Sequence, residues 1–223
     1  GMQGYEPAYA DFGALSQLDR EDEALKLMKE AGYGEGGKPL KGDEPEVYDW
    51  DGWELVAPSA VPHSDRAPVP RALSHNEVRD LVGKWGDAAV RADKAGFDVL
   101  EVHGAHGYLI HQFLSPVANQ RTDIYGGNEM NRMRFAIEVA EHVRSIWPAE
   151  KPLFMRLSCE DDAGWGPEEN VRLSRLLREK GVDVIDCSSG GTLAHSPMDG
   201  ERSKKYGYQV PYAEKIRKEA DIK

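Results

Sequence analysis

At 223 residues the chain is long enough to bury one sizeable hydrophobic core. Its formal net charge of −11, with 30 % charged residues, argues against nucleic acid or an anionic membrane as the main partner, because both are bound through basic patches. No run approaches the ~20 apolar residues of a membrane span, and the N-terminal GMQGYEPAYADFG has no basic stretch followed by an apolar one, so no secretory leader is expected.

Residues 1–36 are unassigned. Within them Asp19–Ala31 reads as a short peripheral helix, capped by Asp19 and stopped by Gly32. Residues 34–72 form a connector punctuated by Gly36, Gly37, Gly42 and six prolines, with Trp50 and Trp53 as anchors. Ser74–Ala95 is the clearest helix. Ser74 followed by Glu77 spells a capping box, and Val78, Leu81, Val82, Trp85, Ala88, Ala89 and Ala92 mark one apolar face before Gly96 ends it. A strand follows over Asp98–His103, with Val99, Leu100 and Val102 as its buried run.

Ser115–Met130 is a polar loop, in which Arg121 and Asp123 form an ion pair beside the Gly126-Gly127 turn. A helix over Asn131–Ile146 places Phe135, Val139, Val143 and Ile146 on one side, and Trp147-Pro148 breaks it. Strand Leu153–Ser158 comes next. Pro167 then opens a helix with Glu168 and Glu169 in its first turn, ending at Gly181. Strand Val182–Cys187 and a final helix from Val210-Pro211 through Ala220 complete the order.

Strands alternating with helices predict βαβ units and a parallel sheet, hence an α/β fold. A closed (β/α)8 barrel needs eight strands. The three strands here predict part of such a TIM barrel, about three central β/α units, with its start and end absent. The two cysteines, Cys159 and Cys187, are too few for a disulfide framework, which points to a reducing compartment and a cytoplasmic location.

Chemistry concentrates where the first strand runs out into His103, His106 and Tyr108. Catalytic side chains of parallel-sheet enzymes sit at C-terminal strand ends. The two histidines have three functional readings: metal ligands, hydrogen-bond donors to a substrate oxygen, or an acid–base pair. A metal lacks a clear third ligand, since His63, His75, His111, His142 and His195 form no recognisable spacing. Structural histidines are the plain alternative. Tyr108 is either a proton donor or a loop anchor. Arg156, inside an apolar strand, either holds an electron-rich ligand or pairs with an acid such as Asp186. Ser188, Ser189 and Gly190, with Gly191, follow a strand and can line a phosphate or sugar site, or form a simple turn. Glu160-Asp161-Asp162 reads as a solvated acidic turn.

The run HGAHGYLIHQFLSPVANQRTDIYGGNEMNRMRF resembles the old yellow enzyme family of FMN-dependent ene-reductases, in its thermophilic-like branch. LFMRLS, VDVIDCSSGG, GYQVPYAEKIRKEAD, WELVAPSAVPHS and VPRALS agree in order, so the resemblance covers about residues 37–223. It implies a (β/α)8 barrel with FMN at its C-terminal mouth, NAD(P)H as reductant and an activated alkene such as an enone as the small-molecule substrate. By the same resemblance, His103 and His106 hydrogen-bond the substrate's carbonyl or nitro oxygen, Tyr108 protonates the α-carbon, and Arg156 lies against the flavin ring.

The resemblance also marks departures. Residues 1–36 lack the family's first flavin-contacting segment and its QLAHAGR-like strand, and the strands that hold the FMN phosphate would lie beyond Lys223. An incomplete chain is therefore expected, with open sheet edges, marginal stability and weak FMN binding unless a homo-oligomer covers the edges. Two other readings compete: a non-catalytic barrel fragment or subunit, and a metal-dependent barrel hydrolase.

Overall fold

The computed structural model describes residues 54–64, 67–161, 163–192 and 205–223. The chain divides into two compact units, Gly1–Glu54 and Leu55–Lys223. The expected helix Asp19–Ala31, the anchors Trp50 and Trp53, Asp162 and His195 lie outside the described residues.

The connector contributes two short strands, β1 (Val56–Ala57) and β2 (Arg71–Ala72), paired in parallel. Helix α1 (His75–Lys94) starts as its sequence dictates: Glu77 N–H donates to Ser74 Oγ, and Ser74 N–H donates to the Glu77 carboxylate. Arg71 and these Ser74 contacts hold Glu77 down at about 2. Val78 and Ala89 are buried as expected, but Ala88 is exposed. Gly86 is buried, because α1 there meets His142 and Ile146 closely enough that a Cβ would stand 2.5 Å from His142 Nε2. The crossing selects glycine, and Ala88, two residues on, points to the other side of the helix.

Strand β3 (Leu100–Gly104) follows. Val99, expected inside, is 45 % exposed. It precedes the ladder, and among the described residues no strand pairs with the far edge of β3. A short helix α2 (Leu109–Leu114), between the expected strand and the polar loop from Ser115, buries Ile110, Phe113 and Leu114. Helix α3 (Glu129–Ile146) begins two residues before Asn131, with Asn128 as its cap. Phe135, Val139 and Val143 are buried, whereas Ile146 at the last turn is 36 % exposed.

Strand β4 (Leu153–Ser158) has the expected bounds, and α4 (Pro167–Glu179) starts at Pro167. Strand β5 (Val184–Ser188) leads on to α5 (Val210–Ala220). Arg175 and Arg178 of α4 donate to the carbonyls of Glu219 and Ala220, satisfying the open C-terminal end of α5.

The sheet runs β3-β4-β5, all parallel. Side chains alternate across it. On one face Val102, Met155, Leu157 and Ile185 join a buried cluster with Phe113, Phe135, Val139, Leu173, Leu177 and Ile216 from the helices. Phe113 and Phe135 are 4.4 Å apart between ring centres, and Trp85 of α1 meets Phe135 edge-on at 5.5 Å. The opposite face carries Glu101, His103, Phe154, Arg156, Ser158, Val184, Asp186 and Ser188.

Candidate functional site

Register places His103, Arg156 and Asp186 in one row across the three strands. Each sits near a C-terminal strand end, on the polar face. His103 is one residue from the end of β3, and His106 follows in a turn with φ +58. That left-handed backbone is uncommon outside glycine and needs to be held. Three contacts hold it. His106 N–H donates to Ser158 Oγ at 3.0 Å, Ser158 Oγ donates to the Gly190 carbonyl at 2.7 Å, and His106 Nε2 meets Ser188 Oγ at 2.6 Å. Gly107 and Gly191 then touch backbone to backbone: a Cβ on Gly107 would stand 2.0 Å from the Gly191 carbonyl oxygen.

The turn brings together the three side chains singled out at the end of β3. The His103 and His106 rings are 5.1 Å apart, and the His103 and Tyr108 rings 5.3 Å. Tyr108 is 63 % exposed. Burial, then the Arg156 charge, pushes both histidines below their ordinary range; for His106 the neighbouring imidazoles push the same way. Neutral imidazoles are favoured, each with one N–H to give.

Arg156 has the anticipated acid partner: its Nε lies 3.4 Å from Asp186 Oδ2. Yet that Nε is buried and makes no hydrogen bond, and the side chain is 38 % exposed. An orphaned buried guanidinium donor at a strand end is a place for an electron-rich acceptor. Ser188 Oγ bridges His106 and Arg156, at 2.6 and 3.5 Å. Ser189 is turned instead toward Tyr208 and Gln209, and the Gly190 N–H is spent on the Glu160 carbonyl. Among the described residues no group of three or more His, Cys, Asp or Glu side chains is placed to hold a metal.

The rim is fixed by Arg121, as its sequence suggested. Its guanidinium pairs with Asp123 and donates to the carbonyls of Pro58 and Leu73, tying the connector to the loop before α3. Arg121 in turn holds the Asp123 carboxyl below its usual range.

Two residues were missed. Asp161 is fully buried, not part of a solvated acidic turn. Its carboxylate accepts from its own loop at Ala163 and Trp165, and from Thr192. His111 is equally buried, 3.5 Å from Asp161. No local spacing connects them, since they are fifty positions apart and meet only when β3 and β4 pair. The tryptophan-glycine-proline stop at Trp165–Pro167 was the one available signal that the acidic turn folds back inward.

Residues 44–222 match the model of the NADH:flavin oxidoreductase / NADH oxidase family. The chain belongs to that family. Members are FMN oxidoreductases that use NAD(P)H as reductant. The chain is 44 % identical over 171 residues to an NADPH dehydrogenase of Bacillus subtilis (strain 168), covering 76 % of this chain and 48 % of the relative. An NADPH dehydrogenase of Clostridium acetobutylicum is 39 % identical over 216 residues, covering 95 % of this chain and 62 % of the relative. The latter alignment reaches into residues 1–36, which the motifs left apart from the family. Among solved structures, morphinone reductase in complex with tetrahydroNAD superposes with a TM-score of 0.61 at 28 % identity, over 76 % of this chain and 48 % of that one. The chain thus spans about half the length of the first curated relatives it matches.

Proposed function

We propose that this chain carries the substrate-facing part of an FMN-dependent NAD(P)H oxidoreductase of the ene-reductase type, which reduces activated alkenes such as enones. The observation that carries the reading is the meeting of His103, His106 and Tyr108 in one cluster, with Arg156 one strand away in register. The three parallel β/α units are read as the central part of a (β/α)8 barrel, and the strand ends as its mouth.

The residues present fit FMN. Arg156 offers a buried Nε without a hydrogen-bond acceptor, and Ser188 Oγ beside it adds a small polar group. Arg156 would lie against the flavin ring, and Ser188, with the loop of Ser189 and Gly190, would border it. When bound, FMN supplies the hydride, drawn from NAD(P)H, for the β-carbon of the alkene.

The chain's own residues prepare the substrate. His103 and His106, kept neutral by burial and by Arg156, donate N–H bonds to the carbonyl oxygen. As negative charge develops there, those bonds strengthen, so they favour the transition state over the ground state. Tyr108 holds its hydroxyl proton within reach of the same substrate and gives it to the α-carbon. The Arg156 charge attracts electron density on the flavin side of the site. Gly107 and Gly191 keep the turn tight, so the donors stay aimed.

A second reading, a non-catalytic barrel fragment or subunit, has one observation in its favour. Phe97 and Val99, just before β3, are 59 % and 45 % exposed, although a closed barrel covers such positions. One experiment separates the two. The purified chain is incubated with FMN, desalted, and its visible spectrum recorded before and after anaerobic NADPH and then 2-cyclohexen-1-one. The enzymatic reading requires a retained flavin spectrum that NADPH bleaches and the enone restores. No retained flavin sinks the enzymatic reading for this chain and leaves the fragment reading.

A further inference from the structure

Three loops leave the C-terminal ends of β3, β4 and β5, and one buried carboxylate touches two of them and, through His111 of α2, reaches the third. Asp161, in the β4 loop, divides its two oxygens. Oδ1 accepts from the N–H groups of Ala163, at 2.7 Å, and Trp165, at 3.0 Å, closing its own loop. Oδ2 accepts from Thr192 Oγ1, in the β5 loop, at 3.0 Å, and lies 3.5 Å from His111 Nε2 on α2. Asp161 and His111 are completely buried and Thr192 nearly so. Burial raises the carboxyl of Asp161, but the contacts from His111, Trp165 and Ala163 outweigh it, and the group stays below its ordinary range.

His111 passes the contact on. Its Nδ1 accepts from the N–H of Gly107 at 2.9 Å. An accepting Nδ1 leaves the ring proton on Nε2, facing Asp161. Gly107 stands between His106 and Tyr108, and its carbonyl is held by Gln112 Nε2 at 2.7 Å. The peptide that joins two substrate-facing side chains is therefore gripped on both sides from α2, and one grip ends at a buried anion.

We propose that Asp161 is a positioning residue: acting through His111 and the Gly107 N–H, with Thr192 as its second anchor, it sets the turn that aims His106 and Tyr108. The idea rests on the reading of those two side chains as substrate-facing, given above. It adds residues outside the H-x-x-H-G-Y segment to the machinery, and it joins the loops of all three strands into one unit.

The test uses the full chain, labelled with nitrogen-15, and reads the histidine rings by two-bond proton–nitrogen spectra. Native His111 is expected to show the pattern of a ring protonated on Nε2. Thr192→Val deletes one donor to Asp161 together with the Thr192 Oγ1 contact to the His111 ring, 3.3 Å from Nε2, and keeps the shape of the side chain. It is expected to move the ring signals of both His111 and His106, while His142 and His63 stay in place and the protein still melts cooperatively. Asp161→Asn is expected to move the same two rings further and to mix the His111 tautomers. If His111 moves and His106 does not, the pair is a core contact only and the proposal is overturned. Should Asp161→Asn fail to fold, Thr192→Val decides.

A kinetic arm uses the chain loaded with FMN. Thr192→Val is expected to raise KM for 2-cyclohexen-1-one about tenfold, with the rate of bleaching by NADPH unchanged. Equal losses in both half-reactions overturn the proposal. A chain that retains no flavin defeats only the enzymatic reading, since the ring spectra still decide the role of Asp161.

Discussion

The two faces of the β3-β4-β5 sheet are built from the same strands and behave as different materials. On the helix side Leu153, Met155 and Leu157 are wholly buried, and what matters is volume. On the other side His103, Arg156 and Asp186 keep a third or more of their surface or lie close to it, and what matters is which atoms point where. The difference follows from the two-residue period of a strand: each step along β4 changes the face, so Arg156 sits between Met155 and Leu157 without entering the core. One face stabilises the unit, and the other carries its polar and charged side chains.

The largest expected effect comes from breaking the helix side. Phe135→Ala opens a cavity among Phe113, Trp85 and Val139, and should cost about 3–5 kcal/mol, read as a lower midpoint in urea unfolding. A loss under about 1 kcal/mol would mean that α3 repacks and the comparison is too sharp. Changing the other face should do the opposite. His103→Gln is expected to leave the midpoint within about 0.5 kcal/mol. With FMN bound, it should also lower kcat/KM for the enone about 10²-fold. A change in stability with full activity would move His103 to the structural side.

Between the two faces lies the rim. Arg121→Met removes the partner of Asp123 and the donor to the Pro58 and Leu73 carbonyls, at a side chain only 9 % exposed. A loss of about 2 kcal/mol is expected. Limited proteolysis should then cut near residues 58–73 before it cuts the sheet; cleavage at equal rates would refute the tie.

The smallest effect is a pH slope. His103 and His106 are depressed in the folded chain, so the unfolded chain binds more protons between their folded values and about 6.5. Stability should therefore fall as pH drops from 7 toward 5. Glu101, raised by burial and by Asp186, works with the opposite sign above its ordinary carboxylate value. The double substitution His103→Gln with His106→Gln should flatten the fall between pH 7 and 5; an unchanged slope would place the titration elsewhere.

Local signals in the chain were legible wherever a few consecutive residues settle the matter. The Ser74–Glu77 box, Pro167 at a first turn, the bounds of Leu153–Ser158 and the Arg121–Asp123 pair all appear in the fold as read. So does the approach of His103, His106 and Tyr108, because six residues of one strand end and one turn cannot separate them far. Signals that depend on a neighbour were not. Ala88 and Val99 have core-like chemistry and face solvent, since what covers a position is another element. The short helix α2 is too brief to show a helical period beside the glycines that precede it.

By itself the sequence determined the alternation of strands and helices, the Ser74 capping box, and the presence of polar residues near the strand ends, because these follow from spacing and from single-residue conformational preference. Only the tertiary structure decided that Gly86 is a helix crossing, that Arg156 keeps a buried nitrogen without a hydrogen bond although it is ion-paired with Asp186, and that Asp161 is a buried anchor shared with His111 and Thr192. Each of these depends on groups 30 to 60 positions apart meeting across a sheet or a helix pair. No local pattern encodes such a meeting; the packing of the whole unit does.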